Sequence, residues 1–140
     1  AEEAFRPGTQ HIILDLRHSP GGNGYRTPSI LRQLIRFNAD PDRGELFVLI
    51  GRNTFSASHN LIVDLDWIAD PIFVGEPSGS RPNVLAEAGR FVLPFSRLSG
   101  LHRLWIAPDV PVGLSAQDFF NGEDPAMQVI ESLINNRDID

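Results

Sequence analysis

His11-Ile12-Ile13-Leu14-Asp15-Leu16 runs straight into Arg17-His18-Ser19-Pro20-Gly21-Gly22-Asn23-Gly24, a short apolar run emptying into a glycine-rich loop. The same arrangement occurs twice more. Leu46-Phe47-Val48-Leu49-Ile50 leads through Gly51 to Asn53-Thr54-Phe55-Ser56-Ala57-Ser58, and Ile72-Phe73-Val74 leads to Gly75-Glu76-Pro77-Ser78-Gly79-Ser80-Arg81-Pro82-Asn83. Runs this short and this rich in Ile, Val and Phe predict strands buried on both faces. Helical patterns lie between them. Thr27-Pro28 predicts an N-cap followed by a helix-compatible proline, with Ile30, Leu31, Leu34 and Ile35 as the apolar stripe. Thr54 is expected to cap a second helix that buries Leu61, Ile62, Leu65 and Ile68. Strand, helix, strand, helix, strand predicts parallel crossover units and the α/β class.

Beyond Gly89 the pattern changes. Phe91-Val92-Leu93 and residues 101–106 predict further strands, with a turn near Leu98-Ser99-Gly100. Asp124-Pro125 opens a last helix with Ala126, Val129, Ile130, Leu133 and Ile134 toward the core. A length of 140 residues is one domain's worth. Hydrophobic residues at 41% and charged residues at 21% describe an ordinary globular chain. The absence of cysteine excludes a disulfide framework and any thiolate metal site. Twelve Lys and Arg against eighteen Asp and Glu leave a net charge of −6, which argues against nucleic-acid binding. No apolar run approaches the roughly 20 residues of a membrane span, and no signal-peptide pattern is present. Ala1 in place of Met is read as the mark of a processed or excised segment. Residues 1–140 are therefore expected to be a single core domain from a longer protein.

Three places can carry chemistry, each also open to a plain structural account. Glycines in the loop 19–24 let backbone N–H groups share one space, which suits a developing negative charge. The same loop can be an ordinary turn, since neither the P-loop nor the dinucleotide spacing is present. Ser56 is expected in the first turn of its helix, where unpaired N–H groups and the helix dipole favour an oxyanion. The N–H of Ala57 is then one donor, although Thr54, Ser56 and Ser58 can equally cap and solvate a helix start. The loop 75–83, with its single cation Arg81, can line a cleft or simply connect elements.

Together these segments resemble the C-terminal-processing, or tail-specific, serine peptidases. Asp15-Leu16-Arg17-His18-Ser19-Pro20-Gly21-Gly22 matches the family's D-L-R-x-N-P-G-G-like motif, with Ser19 in place of asparagine. Thr54-Phe55-Ser56-Ala57-Ser58 matches the nucleophile segment T-x-S-A-S/A-E, with His59 where the glutamate would stand. Gly75-Glu76-Pro77-Ser78-Gly79-Ser80 approaches G-E-P-T-x-G, and Pro108-Asp109-Val110-Pro111-Val112 matches a late P-D-x-P-V. The resemblance implies a ClpP/crotonase-like ββα superhelix, with Ser56 as nucleophile and the amides of Gly21, Gly22 and Ala57 as the oxyanion hole. It also implies a peptide or unfolded-protein substrate and an extracytoplasmic setting, with homo-oligomers within its range; no cofactor is expected, and four scattered histidines and unpaired acids give no metal-ligand cluster.

The general base is where the chain departs from the family. Arg81 stands at the position of the usual lysine, and arginine stays protonated, so it cannot take a proton from Ser56. It suits a carboxylate of the substrate instead. The remaining base candidates are His59, three residues after Ser56, His18, before the glycine loop, and a group supplied from outside this chain. His11 and His102 fall on predicted strands and are read as packed or solvated, and Asp64 and Asp66 as solvated charges. The rival to the enzyme is a non-catalytic ligand- or peptide-binding module on the same fold. An acyl-CoA enzyme of the crotonase type fits the fold but has no motif of its own here.

Overall fold

A computed structural model describes residues 9–80 and 106–137. Four strands, β1 (Ile12–Asp15), β2 (Leu46–Ile50), β3 (Ile72–Gly75) and β4 (Val110–Pro111), form one sheet in that order. All three pairings are parallel, with Leu14 opposite Val48, Val48 opposite Phe73, and Val74 opposite Val110. Helix α1 (Thr27–Asn38) connects β1 to β2, and α2 (Ala57–Ile68) connects β2 to β3. Helices α3 (Ala116–Asn121) and α4 (Pro125–Arg137) follow β4. The α/β class and parallel crossovers expected from the apolar runs are present. The predicted strand at 91–93 and all but the last residue of the one at 101–106 lie outside the described residues, as do Arg81 and His102; Ile106 is described and is not in a strand.

Strand β2 shows why the runs lack alternation. All five of its residues are buried, because each face of the sheet has its own core. Leu46, Val48 and Ile50 join Ile12, Phe73, Leu34 and Phe37 of α1, and Leu61, Ile62 and Leu65 of α2. Phe47 and Leu49 face the other way, with Val74, onto Ala126 and Ile130 of α4. A continuous apolar strand is what two covered faces require.

The helices differ in detail from their sequence patterns. In α1 the buried positions are Leu34 and Phe37, with Leu31 half-buried, while Ile30 and Ile35 are largely exposed. The stripe is thus rotated from the expected one, because Phe37 supplies the anchor. A single 3₁₀ turn (Gly24–Arg26), capped by Asn23, leads into α1, so Thr27 is already helical. In α2, Leu61, Ile62 and Leu65 are buried as expected, but Ile68 is exposed and Ala69 takes its place. Helix α3 was not anticipated, although its Ser115/Asp118 capping box and left-handed Gly122 are local signals for one.

The sheet is locked to α4 by one arginine. Arg17, just past β1, makes a bidentate pair with Asp124 (both contacts 2.8 Å) and also binds Asp15 at 2.7 and 3.0 Å. Asp124 in turn accepts from the N–H of Met127 in the first turn of α4. Hydrogen bonds from Arg17 hold the Asp124 carboxyl below its usual range. Burial pushes Asp15 up, yet the Arg17 contacts outweigh it and its carboxyl is also lowered. Asp109, in the Pro108-Asp109 motif, accepts from the Phe73 N–H at 2.8 Å and so fixes the start of β3.

Two outcomes are expected. Ile62→Ala, fully buried between α2 and the sheet, should cost about 2–5 kcal/mol in urea denaturation. Because both carboxyls are lowered on folding, their stabilisation is complete above the unfolded carboxylate range and is lost as pH falls through the folded values. An acid titration of stability should therefore be shallower for Arg17→Met than for the parent.

Candidate active site

Ser56 stands at the N-cap of α2, one residue before the first helical turn in which it was expected. Its backbone has φ 52° and ψ −124°, and its side chain makes no capping hydrogen bond. A serine at an N-cap ordinarily adopts extended backbone and caps the N–H of the second or third helical residue. Ser56 does neither. Non-glycine residues held at positive φ outside the left-handed helical well cost on the order of 1–3 kcal/mol and persist only where the surroundings over-determine them.

Thr54 does much of that determining. It was expected to cap α2, but it is completely buried and serves as a tie between loops. Its hydroxyl donates to the Leu16 carbonyl at 2.8 Å and accepts from the Gly51 N–H at 3.0 Å. Its own carbonyl accepts from the Gly79 N–H at 3.2 Å. The loops after β1, β2 and β3 thereby meet at one residue.

The loop after β1 lies directly on Ser56. A β-carbon on Gly21 would come within 2.6 Å of Ser56 Cβ, 2.7 Å of the Phe55 carbonyl and 2.8 Å of the Ala57 nitrogen. Gly21 has φ +98°, so glycine is required there for both conformation and space. Gly22, at φ +143°, faces open space. Ala57 is the first residue of α2, so its N–H has no partner within the helix and sits at the positive end of the dipole. Ser19 fastens this loop. Its carbonyl accepts from the Phe55 N–H at 3.2 Å and its hydroxyl lies 2.5 Å from that of Ser58.

The base candidates fall in different places. His59 is buried, and its Nδ1 is hydrogen-bonded to the Ser78 hydroxyl at 3.1 Å. Its Nε2 is buried without a partner among the described residues, and burial pushes its pKa down. His18 is exposed and lines a cleft of about 280 Å³ at the carboxyl ends of the strands, with Arg17, Asn53, Glu76, Gly113 and Asp124. No described hydrogen bond joins either imidazole to Ser56. His11 is structural: its Nδ1 accepts from the Glu45 N–H at 2.9 Å and its ring packs near Phe47. Asp64 is exposed on α2, with burial of its carboxyl raising its pKa. Ser78 escaped the sequence, because its partner lies 19 residues away and no local pattern connects them. Among the described residues no three His, Asp or Glu side chains could share a metal ion. No described helix is long and apolar enough to cross a membrane.

No protein-family model matches the chain, and no curated protein matches it. Solved structures do. A candidate peptidase from Parabacteroides merdae superposes with a TM-score of 0.61 at 18% identity, over 89% of this chain and 51% of that one. The photosystem II D1 C-terminal processing protease gives 0.52 at 19% identity, over 76% of this chain and 35% of the other. The tricorn protease gives 0.58 at 15% identity, over 91% of this chain and 15% of the other. At these identities the likeness defines the fold, which is one that peptidases use. The chain spans about half the length of the Parabacteroides protein and less of the other two.

Removing the Thr54 hydroxyl tests the tie between the loops. Thr54→Val leaves the buried Gly51 N–H unpaired and should cost about 1–3 kcal/mol, read by urea denaturation. Gly21→Ala should be more disruptive than Gly22→Ala, since only the first has Ser56 and Ala57 in its way. Comparable loss of melting temperature in the two variants would contradict this packing.

Proposed function

We propose that the chain is the catalytic core of a serine peptidase, of the C-terminal-processing type, on a ClpP/crotonase-like ββα superhelix. The observation that carries this reading is the strained N-cap serine pressed against Gly21. Ser56 gives up its capping bond, and its hydroxyl has no hydrogen-bond partner among the described residues. The Ala57 N–H and the Gly21–Gly22 loop border the same space. That grouping supports a nucleophile beside oxyanion donors.

In the proposed reaction Ser56 Oγ attacks a peptide carbonyl as its proton passes to a base. The carbonyl oxygen becomes an oxyanion held by the N–H groups of Ala57 and of Gly21 or Gly22. Collapse expels the amine, which takes the proton, and leaves an acyl-enzyme that water hydrolyses. Gly21 keeps the approach to the Ala57 amide open, which a β-carbon would close. The substrate is a peptide or unfolded protein, and the rest of a longer polypeptide and an extracytoplasmic setting belong to the same proposal. Arg81, always charged, is assigned to a substrate carboxylate.

Ser56→Ala is the direct test. The parent should react with a fluorophosphonate probe and cleave an unfolded protein, and the variant should do neither while keeping its melting temperature or raising it. Equal silence from both folded proteins would favour the binding module, a reading to which the arginine at position 81 lends weight.

A further inference from the structure

We propose that His59 is the proton acceptor for Ser56, through Nε2, and that Ser78 is the positioning residue that fixes its tautomer. This rests on Ser56 being the nucleophile and adds the base that the reading above leaves open.

The Ser78 hydroxyl has one proton and two neighbours. It donates to the Ser80 carbonyl at 3.3 Å, and its oxygen lies 3.1 Å from His59 Nδ1. In this proposal that proton goes to Ser80, so that the hydroxyl accepts from the ring and Nδ1 carries the hydrogen. Nε2 is then a bare lone pair. It is buried and has no partner among the described residues, and such an orphan in a native core calls for an explanation. The opposite tautomer would bury an unpaired N–H instead.

Sequence position supplies the rest. Ser56 is the N-cap of α2 and His59 is the third helical residue, a spacing of three that makes the two side chains neighbours along the helix surface. Ser56 makes no capping bond, so its hydroxyl is free to turn about its own Cα–Cβ bond. Hydrogen bonds of this kind are often open without substrate and close in the reactive complex. Burial keeps His59 neutral near pH 7, as a base must be, and no charged side chain contributes to the shift of its pKa. Among the described residues the Ser78 hydroxyl is the polar group bonded to its ring. His18, by contrast, is exposed and lines the cleft with Arg17 and Asp124.

The proton balance closes. The Ser56 proton moves to Nε2 as the Oγ–carbon bond forms, and the imidazolium returns it to the departing amine as the carbon–nitrogen bond breaks. Water repeats the cycle in reverse roles, giving a proton to Nε2 as it attacks, and the proton then restores the Ser56 hydroxyl. Nδ1–H stays on Ser78 throughout.

The test uses the whole chain and a fluorophosphonate probe, whose reaction requires only an activated serine. His59→Gln should slow labelling by about a hundred-fold or more, and by far more than His18→Gln does. In the parent the rate should rise with pH through a midpoint below the ordinary imidazole value. Ser78→Ala should lower both the rate and that midpoint, because the cationic ring loses the acceptor for Nδ1–H, and Ser78→Thr should restore both. A purely structural Ser78 would change the melting temperature but not the midpoint. Labelling that is lost in Ser56→Ala yet equally fast in His59→Gln and the parent overturns this inference and leaves the nucleophile standing. A parent that is never labelled overturns both.

Discussion

Three chain segments have to arrive at one point for this site to exist, and the Thr54 hydroxyl is what gathers them. It binds the last residue of the β1 run and the first residue past β2, and the Thr54 carbonyl takes the amide of the loop after β3. A hydroxyl that is completely buried and both donates and accepts has no slack. The backbone of Phe55 and Ser56 follows from where Thr54 is pinned. Ser19, bonded to Phe55 and Ser58, closes the loop from the other side.

Parallel strands make this convergence natural. All four point the same way, so their carboxyl ends lie along one edge and the loops that leave them share one space. Gly75, at φ +123°, would put a β-carbon into the Ile50 carbonyl, so the third loop leaves the sheet only by passing tightly over the second. The Glu76 N–H takes up that same carbonyl at 3.1 Å. The edge of the sheet is therefore a set of interlocked turns, and the strain at Ser56 is one conformation among several that the packing enforces.

What was legible in the sequence was what local pattern encodes. The unbroken apolar run Leu46–Ile50 announces a strand covered on both faces, and two cores confirm it. The glycines at 21 and 22 announce an unusual backbone, which their positive φ values show. Thr54 was misread because a threonine before a helix looks the same whether it caps or is buried, and only the neighbouring loops decide. The stripe of α1 was placed one step off because Phe37, near its end, outweighs Ile30 and Ile35 once the helix meets α2 and the sheet. Arg17, Asp124, Asp109 and Ser78 act across long stretches of chain, and no window of sequence contains both partners.

The pair between Arg17 and Asp124 spans 107 residues and joins the end of the first strand to the start of α4. During synthesis on a ribosome, β1 and its glycine loop emerge early and then wait for a partner that has not been made. Until α4 is out, the arginine beside that loop lacks its bidentate carboxylate, and the second face of β2 and β3 lacks its cover. Long-range closures of this kind come late in folding. A nascent chain that carries Ser56 but not yet Asp124 thus holds its strand-end loops without the brace of α4 until that helix arrives.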